Sequence, residues 1–379
     1  MDIFRNLDKK KVRVIGVMSG TSMDGMDISL VEFNGLDASP EMEVILTHCA
    51  AYDESIQQRI ALAFNGYAES ICRLNVDIAI THADAILSFL NTNKINPNEI
   101  DLIASHGQTI YHINDHSSLQ IGDADIIAKK TNIPVIHDFR MADIACGGNG
   151  APLVPFFDIF LNFPHKYSTA FQNLGGIGNV TFAPAGEPSE AFAFDTGPAN
   201  ILLDQLMLLE TFGKTKMDRD GIIASQGTIN QKLVDDLMGH PYFSKRPPKS
   251  TGHEDFGRQV AVEIRQKYPL PFSTIMRTVT RFVARSIQFS YDEYLPNYDR
   301  VIFSGGGVRN NMLMSDVKDL ISSEKIINFE DAFNFESGFK ESVAFAYLGY
   351  CRYRNIPSNV PHATGAKSKT SLGKLAFPN

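Results

Sequence analysis

The sequence predicts an α/β protein built as two related halves. Three observations carry this. Short runs of Val, Ile, Leu and Phe alternate with stretches of helical periodicity, the pattern of strands interleaved with helices. A device of strand, glycine-rich turn and returning strand occurs at 12–33 and again at 169–183. The chain has 379 residues, enough for two domains or one large two-lobed unit. At 44% hydrophobic and 21% charged, its balance is that of a globular protein able to bury a core without disulfides. With no Trp and 26 Phe, that core is filled by Phe, Leu and Ile.

The elements follow in order. Residues 12–18 and 28–33 are β-rich runs joined by Ser19-Gly20-Thr21-Ser22-Met23-Asp24-Gly25, which reads as a hairpin. A third strand is expected at 44–50. From 55 to 92, Ala and Leu recur at helical spacing. Short strands at 102–105, 119–122 and 135–138 alternate with further helical stretches. The second half restarts with a strand at 169–174, a glycine turn at 175–179 and a returning strand at 180–183. Another strand at 192–194 ends at Asp195-Thr196-Gly197-Pro198, where Pro198 suits the first turn of a helix. Helical stretches are expected near 220–239, 258–268 and 273–294. A buried strand at 301–303 runs into Ser304-Gly305-Gly306-Gly307, with a helix from about Asn310 and a last one over 340–354. A boundary is expected at 160–168, where Pro164 breaks a helical run.

The net charge is −8 and the pI about 5.7, which excludes a basic nucleic-acid footprint. Lys367, Lys369 and Lys374 in the tail are too sparse to make one. Cys49, Cys72, Cys146 and Cys351 form no CxxC pair and are expected as scattered buried thiols in a reducing compartment. The charged start MDIFRNLDKKK lacks the apolar core of a signal peptide. No apolar run approaches the roughly 20 residues that span a bilayer. A cytoplasmic protein with no membrane partner is expected. His112 and His116 have i, i+4 spacing, but no third ligand is evident and Asn114-Asp115 between them reads as a loop, so no metal site is expected there.

Three glycine clusters stand at strand ends, where ligands of open α/β sheets bind. Residues 20–27 (GTSMDGMD) offer glycines, hydroxyls and two carboxylates; Gly175, Gly176, Gly178 and Asn179 form the second cluster; Gly305, Gly306 and Gly307 form the third, ahead of a helix. Backbone can approach a phosphate only where side chains are absent, and consecutive amides can then converge on the anion. Any one cluster could be a mere tight turn; three together point to a nucleotide or phosphate site. The common motifs fail. Gly213-Lys214-Thr215 resembles the end of a P-loop, but Leu208 stands where its first Gly belongs. Gly176-x-Gly178 and Gly305-x-Gly307 lack the third glycine of a dinucleotide fingerprint.

The segments GVMSGTSMDGMDISLVEF (16–33), SHGQT (105–109), DFRMADIACGGNGAPLVP (138–155), NLGGIGNV (173–180), FDTGPAN (194–200), PPKSTGHEDF (247–256) and SGGGVRN (304–310) together resemble the anhydro-N-acetylmuramic acid kinases. These belong to the superfamily of sugar kinases, Hsp70 chaperones and actin. The resemblance implies two RNase-H-like domains with ATP in the cleft: 1–163 completed by about 340–379, and 164–339. It implies ATP and Mg²⁺ as cofactors, an amino-sugar substrate and, by family precedent, a homodimer. Gly20, Thr21, Ser22, Met23, Asp24, Gly25, Met26 and Asp27 would hold phosphates with the second and third glycine clusters, and Asp24 would reach Mg²⁺ through water.

The family reaction opens the 1,6-anhydro bridge with water and phosphorylates O6, in the recycling of cell-wall fragments. Such a reaction needs one carboxylate base on the water, and the resemblance assigns it to Asp195. Local pattern alone allows Asp195 to be a helix cap instead. The resemblance places His106, Gln108, Arg140 and Glu341 at the sugar, with Arg140 suited to a bidentate carboxylate contact. Taken alone, a strand-end His is more often structural, and an acidic residue such as Glu341 commonly opens a helix for dipole reasons. The family pattern usually carries Gln where Asn149 stands and Gly where Ala199 stands, and 329–339 fits it poorly. The alternatives are another sugar kinase of the same fold or a non-catalytic actin- or Hsp70-like ATPase.

Overall fold

The computed structural model describes residues 8–20, 23–114 and 116–378. The chain divides into two compact units, Met1–Leu161 with Phe339–Asn379, and Asn162–Gly338.

The first unit is built on β1 (Lys11–Ser19), β2 (Gly25–Asn34), β3 (Glu41–Ala51), β4 (Leu102–Ile113), β5 (Ser117–Ile121) and β6 (Val135–His137), with the chain's last strand, β12 (Lys374–Ala376). Their order is β12-β6-β4-β1-β2-β3, and β5 pairs with β4. The hairpin strands β1, β2 and β3 are antiparallel, whereas β4 and β6 run parallel to β1 and β4 respectively. Val12, Val14, Ile15 and Val17 are all fully buried, so β1 is covered on both faces, as expected of a central strand with a parallel neighbour. One face packs with Ile78, Ile86 and Ile127 from the helices Ala68–Thr92 and Ala124–Thr131.

The other face takes the helix Lys340–Tyr353. That contact depends on Gly16: a Cβ there would lie 1.9 Å from the Ser342 carbonyl oxygen and 2.8 Å from the Ala346 nitrogen. Hydroxyls of Ser29 and Ser342 bond at 2.6 Å in the same layer. Tyr347 and Tyr350 donate to the carbonyls of Ala38 and Asp37 at 2.6 and 3.0 Å.

The second unit repeats the scheme with β7 (Thr169–Leu174), β8 (Ile177–Ala183), β9 (Phe192–Pro198), β10 (Arg300–Ser304) and β11 (Ile326–Asn328), ordered β11-β10-β7-β8-β9. Again the first three strands are antiparallel and the next two parallel. Each unit is thus an RNase-H-like α/β domain. The helix Phe272–Tyr294 turns Ile275, Met276, Val279, Phe282, Val283 and Ile287 into the core. Its polar side supplies Arg277 and Arg281 to buried Asp316, at 2.5 and 2.9 Å.

Several elements differ from expectation. Strand β4 continues to Ile113 because its second half pairs with β5, so His112 lies in a strand, with Asn114 in the turn after it. Asp115 lies outside the described residues. The helical stretch 55–92 is two helices, Glu54–Ala63 and Ala68–Thr92, the first capped by Asp53. The stretch 220–239 is also broken, into Ile222–Ser225 and Gln231–Met238, the latter capped by Asn230. Strand β9 runs through Pro198, and the helix begins at Asn200. Pairing of Gly197 with Gly178 and of Pro198 with Ile177 extends the strand, and an edge strand tolerates a residue without an N–H. Of the cysteines, all free, only Cys351 is buried; Cys49, on edge strand β3, and Cys72 are exposed. Among the described residues no helix is long and apolar enough to cross a membrane.

Gly16→Val forces a side chain into the Ser342 carbonyl. It is expected to cost about 3 kcal/mol or more, read as a lower denaturant midpoint.

Candidate active site

In the first unit, the β1–β2 turn is anchored from below. Ser19, at the end of β1, donates to Gln108 Oε1 at 2.5 Å, and Gln108 Nε2 donates to the Gly20 carbonyl at 3.2 Å. The Tyr52 hydroxyl lies 2.7 Å from Ser19 Oγ and 2.7 Å from His82 Nε2. If Ser19 gives its proton to Gln108, the chain has one direction: His82 N–H to Tyr52, Tyr52 O–H to Ser19, Ser19 O–H to Gln108. His82 is held neutral, pushed down to about 4 by burial, and its Nδ1 has no partner.

Thr21 and Ser22 lie outside the described residues. Met23 sits at φ 58° and Asp24 is exposed. Gly25 is demanded by its neighbour strand, since a Cβ would lie 2.3 Å from the Ala50 carbonyl oxygen. Met26, expected among the phosphate-site residues, turns its side chain into the core because alternation along β2 points it inward. Asp27 is half-buried; burial raises its carboxyl, a hydrogen bond from Cys49 opposes this, and Asp24 adds to it. Asp24 and Asp27 give this turn two carboxylates, hard oxygen donors suited to a hydrated Mg²⁺. No group of three or more His, Cys, Asp or Glu forms a metal cluster among the described residues. His112 and His116 instead engage Ser118 and Ser117.

His106 and Arg140 form one assembly. Arg140 donates from Nε (3.2 Å) and NH2 (2.9 Å) to His106 Nε2, and from NH1 to the Gly150 carbonyl at 2.7 Å. Nε2 is therefore unprotonated, and Nδ1–H donates to the Gly107 carbonyl at 2.9 Å. Burial first, and Arg140 second, hold His106 well below its ordinary pKa. Both ring nitrogens are engaged, so His106 backs Arg140, and Gln108 likewise backs Gly20. Arg140 keeps one N–H on each terminal nitrogen for a ligand. Burial lowers its pKa to about 10, and Glu341 opposes, so it stays charged at neutral pH. Solvent reaches the Glu341 side chain, yet surrounding protein raises its carboxyl, against the pull of Lys340 and Arg140.

The loop that holds Arg140 is fastened by Asp143, which is fully buried. Its carboxylate accepts from Gly150 N–H, the Asn359 amide and the Thr364 hydroxyl, each at 2.8 Å. The Asn149 N–H also donates to the Thr364 carbonyl at 2.8 Å. The tail thus buttresses the 146–150 loop.

In the second unit, three predicted features converge. Gly305 (φ 87°) and Gly307 are pressed onto the end of β7: Cβ atoms there would lie 2.5 Å from Asn173 Oδ1 and 2.7 Å from Leu174 Cβ. Gly178 is likewise crowded, 2.8 Å from Thr196 Oγ1. Gly306 has nothing within 4 Å, and Gly175 and Gly176 nothing nearer than 3.5 Å. Chain packing thus explains Gly178, Gly305 and Gly307, whereas Gly306 faces open space and Gly175 and Gly176 meet neighbours only at ordinary contact distance. Gly306 lines a cavity of about 490 Å³ with Asn200, Asp204, Asp218, Asp220, Arg309 and Asn310, within the range of small-molecule sites.

Asp195 lies on β9 opposite Asn179. It does not cap the following helix, whose N-cap is Ala199. Its backbone is held on both sides: its N–H donates to the Lys249 carbonyl at 3.1 Å, and the Tyr242 hydroxyl donates to its carbonyl at 2.5 Å. The Thr251 N–H donates to Oδ2 at 2.9 Å, leaving Oδ1 available. Burial raises the carboxyl to about 7; Thr251 N–H opposes, Glu254 adds, and Lys249 opposes. A base with this pKa is suited to work near neutrality.

Sequence reasoning missed Tyr52, His82, Asp143, Tyr242, Lys249 and Thr251. Three of them carried a signal: Asp143 in the DFRMADIACGGNGAPLVP segment, and Lys249 and Thr251 in PPKSTGHEDF.

Residues 12–378 match the family model for anhydro-N-acetylmuramic acid kinase. Among curated relatives, the chain is 37% identical over 394 residues to the anhydro-N-acetylmuramic acid kinase of Caldanaerobacter subterraneus subsp. tengcongensis, covering 99% of each chain. It is 38% identical over 381 residues to that of Bacillus cereus strain G9842, covering 96% of this chain and 99% of the relative.

Asp143→Ala leaves three buried donors without an acceptor. A loss of about 3 kcal/mol or more is expected, with earlier proteolytic cleavage in the tail, measured by urea denaturation and limited proteolysis.

Proposed function

The chain belongs to the anhydro-N-acetylmuramic acid kinase family, and from that premise we propose how its residues divide the work. The protein is a kinase of 1,6-anhydro-N-acetylmuramic acid in cell-wall recycling. The observation that carries the mechanism is Asp195, a carboxylate with one oxygen fixed by Thr251, the other available, and a pKa of about 7.

Asp195 Oδ1 takes a proton from water as the water oxygen bonds to C1 of the sugar. The bond from C1 to the bridging oxygen breaks, and that oxygen, now O6, bonds to the γ-phosphorus of ATP as ADP leaves. Phosphorus takes up the charge developing on O6, so no separate general acid is needed. The product is N-acetylmuramic acid 6-phosphate.

Phosphoryl transfer is mainly positioning and charge neutralisation. We assign the phosphates to the uncrowded backbone at Gly175, Gly176 and Gly306 and to the 20–25 turn, with Asn179 bordering the second cluster. The adenosine fits the cavity lined by Asn200, Asp204, Asp218 and Arg309. Asp24 would hold Mg²⁺ through water, with Asp27 beside it, and the ion would neutralise phosphate charge. The free N–H groups of Arg140 take the lactyl carboxylate, with His106 and Asp143 keeping that cation in place. Glu341 accepts from sugar hydroxyls or the amide, and Gln108 keeps the turn at Gly20 in register.

Three measurements test this. Purified protein with ATP and Mg²⁺ should convert the anhydro sugar to its 6-phosphate, with ¹⁸O from labelled water appearing at C1. Unchanged sugar would overturn the assignment. Asp195→Asn should lower turnover by about a thousandfold or more while calorimetry still shows ATP binding. Because Asp195 must be ionised to act, kcat/KM should fall about tenfold per pH unit below the limb near 7 and level off above it.

A further inference from the structure

Lys249 stands behind Asp195 in an unusual setting. Its side chain is 8% exposed, and its ammonium has no hydrogen-bond partner. It is surrounded instead by rings: Tyr242 and Tyr294 each 4.6 Å from Nζ to centroid, and Phe194 at 6.0 Å. Ring faces attract a cation, but far less than water or a carboxylate would. The cage is also rigid. Tyr242 is tied to the Asp195 carbonyl, and Tyr294 donates to the carbonyls of Phe243 and Lys245 at 3.1 and 3.0 Å. Phe194 is the residue before Asp195, and the Lys249 carbonyl holds the Asp195 N–H.

A protein gains little stability from a nearly dry, unpaired ammonium, because a Met of similar shape would fill the same cage at lower desolvation cost. The charge therefore needs another use. Nearby, Glu254 and Asp255 stand on the helix His253–Phe256. Asp255 is occupied by the Thr251 hydroxyl at 2.8 Å. Lys245 precedes Lys249 on the same loop. Glu254 acts to keep Asp195 protonated; Lys249 acts against it.

We propose that Lys249 is a positioning residue whose caged positive charge favours the ionised form of Asp195. The proposal rests on Asp195 being the base. Lys249 itself is lowered to about 8, chiefly by burial, so it is still mostly charged at pH 7 and below, where Asp195 takes up its proton. The field therefore persists where it is needed. The rings keep water from screening it.

The test is kcat/KM against pH for the wild type, Lys249→Met, Lys249→Gln and Lys249→Arg, with folding checked by circular dichroism. The neutral variants should move the acidic limb up by about one pH unit, a tenfold loss below the limb, with activity recovered near pH 9. Lys249→Arg keeps the charge and should keep the limb. A neutral variant that folds with the limb unmoved, or an Arg variant that shifts it as far as Met does, overturns this inference alone. Should the neutral variants not fold, the ¹³C titration of the Asp195 carboxyl in Lys249→Arg decides: an unchanged midpoint supports the charge, an upward shift overturns it. Retained turnover in Asp195→Asn overturns the base and this inference together.

Discussion

The helix Lys340–Tyr353 can lie on β1 only because Gly16 has no side chain. A Cβ 1.9 Å from the Ser342 carbonyl oxygen leaves no alternative at that position. The contact covers the second face of the central strand, so the first domain is completed by residues from both ends of the sequence. Much else follows from it. Glu341 is held on the first turn of that helix, and Phe345 brings its ring to 4.6 Å from His106. His106 in turn aligns Arg140. The placement of Glu341, His106 and Arg140 is therefore a packing result before it is an electrostatic one.

Polar groups in each domain are arranged in ranks. In the first, His82, Tyr52, Ser19 and Gln108 pass hydrogen bonds from the core to the Gly20 carbonyl. Asp143 does the same from the tail to the Arg140 loop. In the second, Tyr242 and Thr251 hold Asp195. Buried polar chains of this kind are costly if any member is missing. Their return is that the groups left unpaired, one oxygen of Asp195 and two N–H groups of Arg140, are fixed in direction before any ligand arrives.

Much of this was legible in the sequence, and the reasons for the remainder are physical. The first hairpin and the second glycine turn were readable because turn chemistry and β-rich runs are local signals. The extension of β9 through Pro198 was not, because it depends on Ile177 and Gly178 across the ladder. Asp195 was identified by family resemblance; its local pattern left a helix cap open, and only the strand pairing removes that reading. His106 and Gln108 were marked as important, but their partners, Arg140 and Ser19, are distant in sequence. Their support of those residues therefore had no local signal. Met26 was grouped with the phosphate turn, although its position on β2 turns it inward. The Lys249 cage draws on Phe194, Tyr242 and Tyr294 from three separate elements and leaves no periodic trace.

The division of the chain also orders its synthesis. The second domain is one continuous stretch, Asn162–Gly338, and can complete its sheet as soon as that stretch has emerged from the ribosome. The first domain is begun earlier but finished later. Until the helix Lys340–Tyr353 arrives, one face of β1 and β4 has no cover, so the earliest strands made are among the last to be sealed. During that interval the nascent chain carries an uncovered apolar sheet face beside a domain that is already folded.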